Sequence, residues 1–144
     1  MAQNITNLRS PTNLKRFHLI FGIIVVVVFV LTGQYMHRFY NHLSGMPDGP
    51  RMLFRTRHIY ILFAGLLNLG IGAYFYYWQE RWQKVLQLLG SVLIAVASVL
   101  FIAAFFYDTK LDNLQAPLSR WAIFTIVGGI VFHALSGIRQ NNKG

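Results

Sequence analysis

Four long runs free of Asp, Glu, Lys and Arg dictate what this chain can fold into: Phe17–Met36, His58–Trp78, Val85–Tyr107 and Trp121–Ile138. A bilayer core about 30 Å thick is crossed by roughly 20 apolar residues rising 1.5 Å each, and each run meets that length. Lipid offers no hydrogen-bond partner, so every crossing segment must satisfy its own backbone, and runs without period-two alternation do so as α-helices. The expected architecture is all-α: an integral membrane four-helix up-down bundle forming one domain over residues 1–144. With 55% hydrophobic and only 12% charged residues, the composition agrees. The first run is too long for a secretory signal, and "LTGQYM" offers no small-residue cleavage site.

The 13 Lys and Arg residues against 4 Asp and Glu give a formal charge of +9. The basic residues sit at helix ends and in connections, so their expected partners are the bilayer's anionic lipid headgroups rather than nucleic acid. With the N-terminus inside, seven basic residues lie inside and six outside. The basic flank of the first run and the acidic Asp108 and Asp112 after the third place both termini on the cytoplasmic side. The expected location is the cell inner (plasma) membrane, multi-pass. The short Gln79–Lys84 connection makes runs two and three antiparallel neighbours. "SGMPDGP" in the long first loop is a turn signal. Gly65, Gly72, Gly90, Gly128 and Gly129 mark close helix approaches, and Asn68 and Ser98 are expected to hydrogen-bond across the bundle.

Chemistry rests on five histidines, His18, His37, His42, His58 and His133, because there is no cysteine and every acid (Asp48, Glu80, Asp108, Asp112) falls outside the runs. An ionisable side chain at membrane depth is costly and marks a functional site by default. His18 lies two residues beyond Arg16 and His133 six residues before Arg139, which puts them within about 6 Å of one level on helices one and four. Facing imidazoles on neighbouring helices are the axial pair of a b-type haem, which needs no cysteine. Gly22 and Gly129, each one turn away, would clear room for the porphyrin. The competing reading has His18 snorkelling to headgroups and His133 bonded to a carbonyl.

"RFHLIFGIIVVVVFVLTG", with Arg16, His18, Thr32 and Gly33, resembles the opening helix of the membrane cytochrome b superfamily. That superfamily includes the cytochrome b subunits of bacterial formate dehydrogenases and hydrogenases, with their small four-helix relatives. The resemblance implies haem ligation by His18 and by His133 late in the fourth helix, and gives His58 the role of a second-helix ligand to another haem. Where that second haem would find its earlier fourth-helix histidine the chain reads Ser119, Arg120, Trp121. One haem is therefore expected, with His58 and His37 as the candidate pair for a second and Arg55 and Arg57 near enough to neutralise propionates. The implied role is electron transfer as a subunit rather than as a stand-alone enzyme, with a redox partner subunit or quinone as partner.

Two rivals stand beside this reading. One is a haem-free four-helix accessory or assembly protein whose histidines are incidental. The other is a membrane glutathione transferase, which "RTRH" at Arg55–His58 faintly resembles, although Ile59, Tyr60 and Ile61 follow where that family has Asn and Glu. Paired carboxylates, HExxH and a phosphate loop are absent, which argues against hydrolysis and phosphoryl transfer. The aromatic clusters Tyr74–Trp78 and Phe105–Tyr107 read as interfacial belts.

Overall fold

The computed structural model describes residues 11–78, 80–110 and 116–138. Four helices follow in order: α1 (Pro11–Tyr40), α2 (Asp48–Ala73), α3 (Arg81–Tyr107) and α4 (Pro117–Ser136), with single 3₁₀ turns at Asn41–Leu43 and Asp108–Lys110. The four-helix, all-α expectation holds. Asn13–Leu43, Arg81–Lys110 and Pro117–Ser136 are long and apolar enough to cross a membrane. The second predicted span is displaced: its helix begins ten residues earlier, at Asp48 rather than His58, and stops at Ala73 rather than Trp78. Arg51, Arg55, Arg57 and His58 all lie within the helix, so its apolar stretch is confined to Ile59–Ala73. Gly70 and Gly72 weaken its last turn before the bulky Tyr74–Trp78 segment.

Each of the four helices is longer at its N-terminus than its apolar run, and the 21-residue loop expected at 37–57 shrinks to the turn at Asn41–Pro47. That turn is left-handed at Asn41, His42 and Leu43 (φ 44°, 56° and 63°) and at Gly45 (φ 75°). Three successive non-glycine residues in this region are costly. Leu43 is buried in the core, and its burial helps hold the turn.

α1 packs along α2 and α4 along α3, and the two hairpins join mainly through α2 and α3. The sequence reading makes α1 and α4 side-by-side neighbours; they do not pack along their lengths. The glycines explain the pairing. A Cβ on Gly90 would lie 2.8 Å from the Gly129 oxygen, and one on Gly129 would lie 3.0 Å from the Gly90 oxygen, so α3 and α4 approach backbone to backbone. On the other hairpin a Cβ on Gly22 would meet the Leu69 backbone at 2.9 Å. The space that Gly22 and Gly129 were expected to leave for a porphyrin is thus taken by α2 and α3.

Apolar side chains face outward as well as inward, and several polar ones are buried. Ile20, Ile23, Val27 and Leu31 on α1 and Val92, Val96 and Val99 on α3 are exposed, while His18, Asn68, Ser98 and Asp108 have no accessible surface. Between these buried polar groups lies an apolar core of Val25, Ile61, Ala64, Ile94, Ala97, Phe101 and Phe105.

Candidate functional site

Two polar centres occupy opposite ends of the bundle, separated by that core. At the first, the start of α1 meets the ends of α2 and α4 and the start of α3. His18 is fully buried, with Nδ1 2.8 Å from Asn68 Oδ1. Asn68 Nδ2 donates to the Ala64 carbonyl at 2.8 Å and to Ser98 Oγ at 3.0 Å, and Ser98 Oγ donates to the Ile94 carbonyl at 2.8 Å. One network therefore ties α1, α2 and α3 together. The other ring nitrogen of His18, Nε2, is buried without a hydrogen-bond partner.

His133 arrives from α4 as the sequence predicts: the His18 and His133 ring centroids are 6.2 Å apart, with planes at 74°. His133 Nε2 lies 3.1 Å from Ser91 Oγ on α3, so this nitrogen already has a partner. Phe75 completes a triangle, 6.4 Å from His18 and 6.3 Å from His133. The three rings thus form a nearly equilateral cluster, with Phe75 beside the imidazole pair rather than between its members. Phe75 and His133 also line an adjoining cleft of about 490 Å³, together with Tyr74, Trp78, Gln87 and Ser136. Gln87 donates to the Tyr76 carbonyl and leaves Oε1 buried and unpaired. Asn68 and Phe75 escape sequence reasoning in these roles. An Asn midway along an apolar helix is a visible signal, but which imidazole it would serve is not.

At the second centre His58 and His37 do not face each other. His58 is bound through Nδ1 to Thr32 Oγ1 at 2.9 Å and stacks on Phe29 with centroids 4.0 Å apart. His37 instead lies against His42, with ring centroids also 4.0 Å apart and planes tilted by 41°. His58 and His37, grouped as a ligand pair by the sequence reading, thus have separate partners.

The two candidate propionate arginines also part. Arg55 is exposed and borders an open groove of about 530 Å³ with Asp48, Arg51 and Thr56. Arg57 turns inward, its Nε 3.7 Å from Asp108 Oδ2 and its guanidinium 5.9 Å from the Tyr60 ring centre. Asp108, expected in the loop after the third run, is fully buried and caps α4 from outside that helix. It accepts from the Leu118 N–H at 3.3 Å and from the Ser119 N–H and Oγ at 3.0 and 2.6 Å. Asp112 and Arg139 lie outside the described residues.

Among the described residues, His, Cys, Asp and Glu nowhere gather in threes to hold a metal ion. A bare ion at the first centre would find two imidazoles, whereas a macrocycle that brings its own in-plane donors needs only such a pair. Fold and site together define a helical bundle with apolar flanks and, at one end, a histidine pair of which His18 is buried and His133 half-buried. Comparison with protein-family models, curated proteins and solved structures finds no match to this chain.

Proposed function

We propose that this chain is a multi-pass inner-membrane b-type cytochrome-like protein that carries electrons through one haem ligated by His18 and His133, both termini cytoplasmic. The observation that carries the reading is the unpartnered Nε2 of a fully buried His18 whose Nδ1 is held by Asn68. Ligating histidines characteristically spend one ring nitrogen on an outer partner and keep the other for the metal. The two imidazoles, with centroids 6.2 Å apart, are close enough that both would hold one such group. His18 Nε2 is open to such a group, His133 Nε2 would exchange its Ser91 partner for it, and Phe75 flanks the pair on the side of the neighbouring cleft. Bound haem would supply the redox chemistry; this chain's residues would supply ligation, a low-dielectric setting and orientation. The outward apolar faces suit a lipid bilayer with anionic headgroups around its basic ends, and a redox partner subunit or quinone would exchange electrons with it.

A haem-free accessory or assembly protein is the second reading. It is favoured by Leu69 and α3 filling the spaces beside Gly22 and Gly129, and by the Ser91 contact on His133. The visible spectrum separates the two. Protein expressed with ample haem and reduced with dithionite is expected to give sharp bis-histidine α and β bands, absent in His18→Ala and His133→Ala. No Soret absorbance in the wild type would end the cytochrome reading.

A further inference from the structure

We propose that Asn68 is a positioning residue that fixes the tautomer of His18, placing the ring proton on Nδ1 and the lone pair on Nε2. The assignment follows from counting hydrogens along the network. Ser98 has one hydroxyl hydrogen, spent on the Ile94 carbonyl, so its oxygen accepts from Asn68. The two hydrogens of Asn68 Nδ2 then go to Ser98 Oγ and the Ala64 carbonyl. Reversing the amide would set Oδ1 against a carbonyl oxygen and against a hydroxyl with no hydrogen to give. Oδ1 therefore faces His18, and as an acceptor it requires a hydrogen on Nδ1 2.8 Å away. A neutral imidazole carries one ring hydrogen, so the lone pair falls on Nε2, the buried atom without a partner.

The consequence is a σ-donor prepared before any ligand arrives. A ring free to exchange tautomers would present a hydrogen instead of a lone pair for part of the time. The network is anchored on backbone carbonyls of α2 and α3, so two helices set the chemistry of a side chain on the third. An accepting oxygen on Nδ1–H also increases electron donation from Nε2 to a bound metal.

The inference bears on the proposed haem site but is tested in haem-free protein, so the two can fail separately. The full chain, labelled with ring-¹⁵N histidine and purified without haem in nanodiscs, is read by long-range ¹⁵N–¹H correlation. His18 is assigned by the signal lost in His18→Gln. The wild type is expected to show His18 with a protonated Nδ1 and an unprotonated Nε2. Asn68→Leu, which removes the acceptor, should shift His18 to a mixture or to Nε2–H. Ser98→Ala loosens the same network but leaves Asn68 Nδ2 on Ala64, so it should keep the wild-type pattern. Should Asn68→Leu fail to fold, Asn68→Ala is read in its place. A wild-type Nε2–H, or a Ser98→Ala shift equal to that of the Asn68 variant, overturns the proposal. In haem-loaded protein the Asn68 exchange should raise the reduction potential. The expected tautomer, with no Soret band in protein expressed with ample haem, would uphold the role of Asn68 and reject the haem.

Discussion

Arg57 on α2 and Asp108 after α3 form a buried ion pair, with side chains 7% and 0% exposed, and the same carboxylate caps α4 through Ser119. One acid thus joins three helices at the end of the bundle away from His18. Removing one member of a buried pair strands the other charge, at a cost of about 3–5 kcal/mol. Asp108→Ala, which also removes the cap, is expected to lose at least that much in unfolding measured in detergent. Arg57→Leu combined with Asp108→Ala should cost less than the sum of the single changes, because no charge is then stranded. Strict additivity would mean that the two side chains do not interact.

Thr32 and His58 make the matching link between α1 and α2. Thr32 Oγ1 gives its hydrogen to the Phe29 carbonyl, so it accepts from His58 Nδ1–H. Thr32→Val keeps the shape but leaves that N–H without its partner, costing about 1–3 kcal/mol. His58→Phe in the same background should recover part of the loss, since a phenyl ring can stack on Phe29 without a donor to satisfy. Equal melting temperatures for wild type and Thr32→Val would refute the link.

Helix number was legible because apolar runs report burial or lipid contact directly, and the His18–His133 encounter because both residues sit at fixed depths on opposite ends of the chain. The interhelical partners were not. Periodicity places Asn68 on α2, but only the rotation of α2 against α1 selects His18 as its partner. Asp108 looked like a loop acid because its role depends on Leu118 and Ser119, whose amides reach it only after α4 has docked. Gly22 and Gly129 are ambiguous for a similar reason: a missing Cβ signals close approach without saying whether a cofactor or another backbone approaches, and here Leu69 and Gly90 approach.

The glycines of the α3–α4 contact should be far less tolerant than those on open faces. A Cβ on Gly129 would lie 2.7 Å from Ile94 Cγ1 and 3.0 Å from the Gly90 oxygen, whereas Gly70 has nothing within 4 Å. Gly129→Ala is expected to destabilise by about 1–3 kcal/mol through overpacking. Gly70→Ala should be neutral or stabilising by up to about 1 kcal/mol, because alanine is the better helix former. Thermal melts of the two variants side by side measure the contrast. Equal effects would show that α3 and α4 are not held at this backbone distance.

Whether α2 crosses a membrane together with the three helices long and apolar enough to do so can be read from a chain that has no cysteine of its own. The contacts orient the bundle. Arg57 near the start of α2 meets Asp108 at the end of α3, while Gln83 at the start of α3 reaches the Ile138 carbonyl after α4. Ser44 and Lys110 therefore belong to one end and Glu80 to the other. Single Ser44→Cys, Lys110→Cys and Glu80→Cys proteins in sealed, oriented vesicles are treated with a membrane-impermeant maleimide. Ser44 and Lys110 should label from one side and Glu80 only after the vesicles are opened, or the reverse if the vesicles are inverted. The decisive comparison is Ser44 with Glu80, since they flank α2 alone. If both label from one face, the short apolar stretch Ile59–Ala73 does not carry α2 across, and the bundle is held in lipid by its other three helices.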